Sequence, residues 1–228
     1  MIKRKLSRDD IFIIVSNLIP VYGVWFHGWS AVEVFIVYAL ETIIIGILTL
    51  LKLGIVTLYR GKDTWDNEGS SPKVSGLFFM LFFLIHFGLF AAVQTTIFSQ
   101  AAGITPANSG PMHFFFHWYE YINQDIAWML GGFVLSYLAR SFFPFIIKGE
   151  YKTISMMQLM FQPYGRVFIQ QFTVIVGSMF LNFGLGKGFI LVFAMAKILF
   201  EVFVDFEGMI NKSMKEMENT QNKDNSQV

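Results

Sequence analysis

Read as apolar and polar positions, the chain is a series of long oily runs cut by short polar connections. A helix needs about 20 apolar residues to cross a hydrocarbon core of about 30 Å. Six runs approach that length, from about Ile11 to Trp25, Ala31 to Leu58, Val74 to Phe98, Ile126 to Ile147, Arg166 to Phe183 and Gly188 to Phe206. The first is short and holds Asn17 and Pro20. The second is long enough to tilt, and Pro144 lies near the end of the fourth. A Gly-rich turn, Gly184 to Gly188, divides the last two. The pattern predicts an all-α polytopic membrane protein with about six transmembrane helices. Residues 1–210 form its single transmembrane domain, and residues 211–228 a polar, disordered tail.

Two connections have a texture of their own. Gly149 to Tyr164 carries Ile154, Met157 and Phe161 at helical spacing, which predicts a short helix lying in the membrane interface. Pro163 and Gly165 then set the opening turn of the fifth span. Between the third and fourth runs, Ser99 to Gln124 includes Met112 to Tyr121, MHFFFHWYEY, whose Trp and Tyr suit the headgroup level.

Basic residues orient the array, because Lys and Arg collect in short cytoplasmic loops. Lys3, Arg4, Lys5 and Arg8 precede the first run, and Lys52, Arg60, Lys62 and Lys73 are read as the second connection. Arg140, Lys148, Lys152 and Arg166 flank the fourth, and Lys212, Lys215 and Lys223 lie in the tail. With six alternating helices all of these share one face, leaving Lys187 on the other. Both termini are therefore placed in the cytoplasm. The basic start followed by an apolar run resembles a signal peptide, but no small-x-small cleavage site follows, so it reads as a retained helix.

Composition agrees. Hydrophobic residues make up 54% and charged residues 14%, against about 25% charged in soluble domains. One aqueous core could not hide 27 Phe. The net charge of +1 forms no basic stripe, which argues against nucleic acid as a partner. With no cysteine there is no disulfide, thiolate metal site or cysteine nucleophile.

Ionisable residues at depth are the informative exceptions. Glu41 falls roughly 12 Å below the outer surface, Lys197 roughly 14 Å, and His86 about 18 Å from either end of its run. These three define a candidate intramembrane polar cluster. Lys197, Glu201 and Asp205 recur every four residues and share a helical stripe. At the helix centre a Lys or an acidic residue costs about 2.5–3.5 kcal/mol, and the apolar residues from Gly188 to Val204 return roughly 5 kcal/mol together. The sixth run therefore inserts with its charged stripe turned towards other helices. The simpler account pairs Lys197 with Glu201 and leaves Glu41 protonated.

His113, His117 and Glu120 form the other constellation. The spacing H-x3-H-x2-E offers two imidazoles and a carboxylate to one divalent metal ion if the segment is helical. His27, Glu33 and Asp125 fall on the same predicted side. The flanking aromatics give the plainer alternative, an interfacial belt. No phosphate-binding loop, H-E-x-x-H or G-x-S-x-G is present.

Tyr38-Ala39-Leu40-Glu41 followed by Gly46, together with Pro163-Tyr164-Gly165-Arg166, is similar to a family of uncharacterised prokaryotic multi-pass integral membrane proteins, a domain of unknown function. The resemblance covers most of the chain. It implies a prokaryotic cytoplasmic membrane and carries over no activity or ligand. Arg166 is read as a lipid-phosphate contact or a positive-inside anchor. The expectation is thus a small transporter, channel-like or ligand-binding membrane protein. The alternatives are a membrane enzyme with an external metal site, or a packing subunit meeting other protein helices, its own copies or different chains, in the bilayer.

Overall fold

A computed structural model describes residues 8–65 and 72–203; the side chains of Arg166 and Glu201 lie outside that description, as does the whole of Asp205 and the tail. The elements are α1 (Arg8–Phe26), α2 (Ala31–Arg60), β1 (Lys62–Thr64), β2 (Lys73–Ser75), α3 (Gly76–Ala101), α4 (His113–Phe116), α5 (Gln124–Tyr137), α6 (Phe143–Ile147), α7 (Met156–Asn182) and α8 (Gly186–Phe203). Short 3-10 turns cover Trp118–Tyr121 and Glu150–Lys152, and a π-helical turn, Leu138–Phe142, joins α5 to α6. Among the described residues the protein is helical apart from one pair of antiparallel strands. Helices stand at all six predicted places. Three stretches, Ala31–Arg60, Gly76–Ala101 and Gln124–Ile147, are long and apolar enough to cross a membrane, and Ile14–Phe26 is a shorter apolar helix.

Local chemistry explains the boundaries. The chain leaves α1 through Gly28 at φ 70°, a conformation costly for a residue with a Cβ. Ser30 and Glu33 then open α2 as a reciprocal cap. Ser30 Oγ accepts from Val32 N, and Glu33 Oε2 accepts from Ser30 N. Pro144 has no N–H to donate and would crowd the preceding turn of an α-helix. The wider turn over Leu138–Phe142, where Phe143 N donates to the carbonyl of Leu138, absorbs the mismatch.

The residues group into two compact units. One takes in, of the described residues, 8–40, 92–130 and 168–203. Within it α1 packs against α8. Phe35 is wholly buried, its ring 5.8 Å from Phe189 and 6.5 Å from Phe98, and Tyr38 meets Phe193 edge-on at 4.7 Å. Phe98 in turn holds the ring of Phe114, which seats the loop after α3.

The other takes in, of the described residues, 41–65, 72–91 and 131–167. Its core joins Ile45 and Leu53 of α2, Phe79 and Phe83 of α3, Phe145 of α6 and Leu159 of α7. Gly46 lets α3 approach closely, since a Cβ there would lie 2.6 Å from the Phe87 ring. β1 and β2 pair antiparallel with Asp63 opposite Val74. Asp63 ties three elements together. Its Oδ2 accepts from Arg60 at 2.9 Å and from Met156 N at 2.7 Å, closing the N-terminus of α7, while Arg60 also donates to the carbonyl of Ile154.

Two expectations need correction. The segment Gly149–Tyr164 is not a separate interfacial helix leading to a turn at Pro163. α7 starts at Met156 and runs unbroken through Pro163. Met156, Leu159, Met160 and Val167 are all buried in the second core, and that burial outweighs the single backbone bond a proline removes. Lys52 is not a loop residue either. It lies inside α2, buried, with Nζ donating to Ser141 Oγ at 2.7 Å and standing 5.2 Å and 5.5 Å from the ring centres of Phe145 and Tyr137. The two rings and the hydroxyl stand in for the water a lysine loses on burial.

Candidate functional site

The loop between α3 and α5 places its polar groups through a broken helix. α4 lasts one turn and stops at His117, whose N–H still bonds to the carbonyl of His113 at 2.8 Å. The chain then tightens into the 3-10 turn Trp118–Tyr121, with Glu120 N donating to the His117 carbonyl at 3.0 Å. Phe114 is fully buried, and its ring packs on Tyr121 at 4.7 Å. The anchor is therefore apolar, and the partly exposed side of the loop carries the ionisable residues.

On that side His113, His117 and Glu120 converge, each offering one ligand atom, with all three atoms within 4.8 Å of one another. The two imidazoles stack at 4.4 Å, and His113 Nε2 lies 3.7 Å from Glu120 Oε2. His117 Nδ1 points at the carbonyl of His113 at 3.3 Å. A carbonyl only accepts, so Nδ1 carries the proton and the neutral ring keeps its lone pair on Nε2. His113 Nδ1 lies 3.1 Å from Tyr121 Oη. Burial, then the Glu120 carboxylate, holds the Tyr121 phenol above its usual range. It therefore stays a neutral hydrogen-bonding group. Outer partners of this kind orient the imidazoles of metal sites.

The size is near that of a metal site. Tetrahedral bonds of about 2.1 Å put neighbouring ligand atoms about 3.4 Å apart. A span of 4.8 Å is wider. Glu120, 47% exposed, is the side chain with room to swing in, whereas His113 is held between Tyr121 and the stacked ring of His117. Glu33 and His27 do not join. Glu33 accepts from Ser30 N and from Asn123 Nδ2 at 2.6 Å, and His27 lies against Tyr22. Asn123 Oδ1 goes on to cap α5 at Ile126 N.

A family model described as "Family of unknown function (DUF6498)" matches residues 2–226. The chain belongs to this family. No curated protein and no solved structure matches it. Membership in DUF6498 thus spans nearly the whole chain and leaves chemistry to be argued from side chains.

Of the predicted polar cluster of this DUF6498 chain, Glu41 and His86 belong to the second unit and Lys197 to the first. Glu41 of α2 and Lys197 of α8 are both buried. Lys197 Nζ lies 4.8 Å over the ring of Tyr38. His86 is exposed on α3, with Nδ1 2.6 Å from Tyr164 Oη and its ring stacked on Phe82. Three features are not legible in the sequence pattern. Tyr121, the neighbour of Glu120, reads there only as an interfacial aromatic. Lys52 reads as loop charge, although the apolar run continues past it to Val56. Gln94, 1% exposed on α3, has neither amide atom hydrogen-bonded among the described residues. It lacks formal charge, so a search for ionisable residues passes over it.

Proposed function

We propose that the chain is a six-span protein of a prokaryotic cytoplasmic membrane, with both termini inside, that binds a divalent metal ion on its external face through His113, His117 and Glu120. The observation that carries the reading is the convergence of the three ligand atoms within 4.8 Å. Its hydrogen-bonded setting fixes the tautomer of His117. Two imidazoles and a carboxylate suit zinc, and three protein ligands leave a fourth position for water or a bound group. Helices at six places, and basic residues falling on one face, support the topology. The reading is of a ligand-binding protein, and an enzyme using the open metal position is its nearest alternative.

Zinc titration by calorimetry of the detergent-purified full chain tests it. One saturable site is expected, lost in His117→Ala and weakened in Glu120→Gln. Heat no greater than that of zinc into buffer ends the proposal.

A second reading, a transporter or channel-like protein, is favoured by one observation in the first unit. Lys197 and Gln94, both buried, are groups that a lipid-surrounded bundle shelters at a cost of several kcal/mol. Ion flux in liposomes that disappears with Lys197→Met supports this reading, and unchanged flux removes it.

A further inference from the structure

A groove in the second unit, remote in sequence from the histidine loop, has the make-up of a lipid site. It is an open surface groove of about 430 Å³, lined by Ile55, Leu58 and Tyr59 of α2 and by Ile146 and Tyr151. That volume lies within the usual range of small-ligand sites of about 300–1,000 Å³. The lining is apolar except for two phenols. Leu58 is 90% exposed, and Ile147, beside Ile146 at the end of α6, is 81% exposed. Tyr59 and Tyr151, both in the lining, meet edge-on at 5.2 Å and 89°.

Charged residues follow the tyrosines in sequence. Directly after α6 the chain turns at Gly149, φ 69°, between Lys148 and Lys152, both exposed. Lys152 Nζ lies 5.7 Å over the Tyr151 ring, which holds the cation beside the groove mouth. Glu150 shares the turn and offsets part of the charge, leaving a net positive rim. An oily trough, tyrosines at its edge and ammonium groups beyond them repeat the order of a lipid read from tail to headgroup.

We propose that this groove holds one acyl chain of an anionic phospholipid, with its phosphate against Lys148 and Lys152. The inference rests on the membrane reading of the chain and is independent of the metal site. Charge complementarity selects the lipid: the rim is cationic, so a zwitterionic lipid of equal chain length fills the trough and gains less at the mouth.

Native mass spectrometry of the full chain, released from detergent with added phosphatidylglycerol or phosphatidylcholine of identical acyl chains, tests the assignment. The wild type is expected to retain phosphatidylglycerol over phosphatidylcholine by roughly tenfold, the order set by one to two ammonium groups beside an anionic headgroup. Lys148→Gln with Lys152→Gln is expected to erase that preference while leaving phosphatidylcholine adducts. Ile146→Trp fills the trough and is expected to reduce both lipids. Leu58→Trp fills it from a bare flank whose side chain supports no packing, so it answers even if Ile146→Trp fails to fold. His117→Ala is expected to bind lipid as the wild type does, which separates failure here from failure of the metal reading. Phosphatidylglycerol adducts unchanged in Leu58→Trp, or a headgroup preference that survives loss of both lysines, overturns the proposal.

Discussion

Individual side chains in this protein work through the partner that replaces lost water. Lys52 shows it for a cation: Ser141 and two aromatic faces surround a buried ammonium. Replacing Ser141 with Ala removes one charge-assisted hydrogen bond, worth about 1.5–3 kcal/mol. A drop in thermal midpoint larger for Ser141→Ala than for Ser136→Ala, measured in the same detergent, is the expected result. Tyr121 shows it for a neutral acid. Its folded phenol pKa is raised by burial and by Glu120. The raised value means the native state holds the proton more tightly than the unfolded chain does. The stabilisation is complete below the ordinary tyrosine pKa and is lost as pH rises through the folded value. Ultraviolet difference titration of wild type against Tyr121→Phe should therefore show one phenol ionising above the ordinary range near 10. A phenol titrating at or below that range contradicts the packing described for the loop.

Elements are joined by a few long-range ties as well as by their oily faces. Asp63 is one, accepting from both Arg60 and the first amide of α7. Asp63→Ala should lower stability by about 1–2 kcal/mol, as loss of a helix cap does, and Asp63→Asn by less because the side-chain oxygen remains. Equal midpoints for Asp63→Ala and wild type would show that the hairpin does not hold α7. Gly46 is the packing counterpart. With a Cβ 2.6 Å from Phe87, Gly46→Ala should cost about 1–3 kcal/mol from overpacking. Gly88→Ala on α3, where an added Cβ meets nothing within 4 Å, is the matched control. Propensity and packing pull apart most clearly at Pro163. Local rules end a helix there, yet α7 continues because residues before and after it are buried in one core.

At the scale of the whole molecule, the proposed six-span arrangement makes its own predictions. The absence of cysteine makes single-cysteine reporters unambiguous. Lys62→Cys and Lys152→Cys should be shielded from an impermeant maleimide in intact cells, and Tyr119→Cys should be labelled. Labelling of Lys62→Cys and Lys152→Cys on opposite faces would break the six-span arrangement. The exposed apolar residues of α3, among them Leu77, Leu81, Leu84, Ile85 and Leu89, are the surface that such an arrangement places against lipid.

Helix positions were legible along the chain because a membrane-length apolar run is a local property, written in neighbouring residues. The convergence of His113, His117 and Glu120 was legible for the same reason, since one or two turns bring the three together whether α4 continues or tightens. Long-range contacts were not legible. That Lys52 faces Ser141, that Asp63 closes α7 and that His86 meets Tyr164 depends on which helix faces pack together. These pairs are separated by 89, 93 and 78 positions. Apolar faces of similar composition are interchangeable to any rule that counts oil, and only the packed chain distinguishes them, by the fit of Gly46 to Phe87 and by the partner each buried polar atom finds.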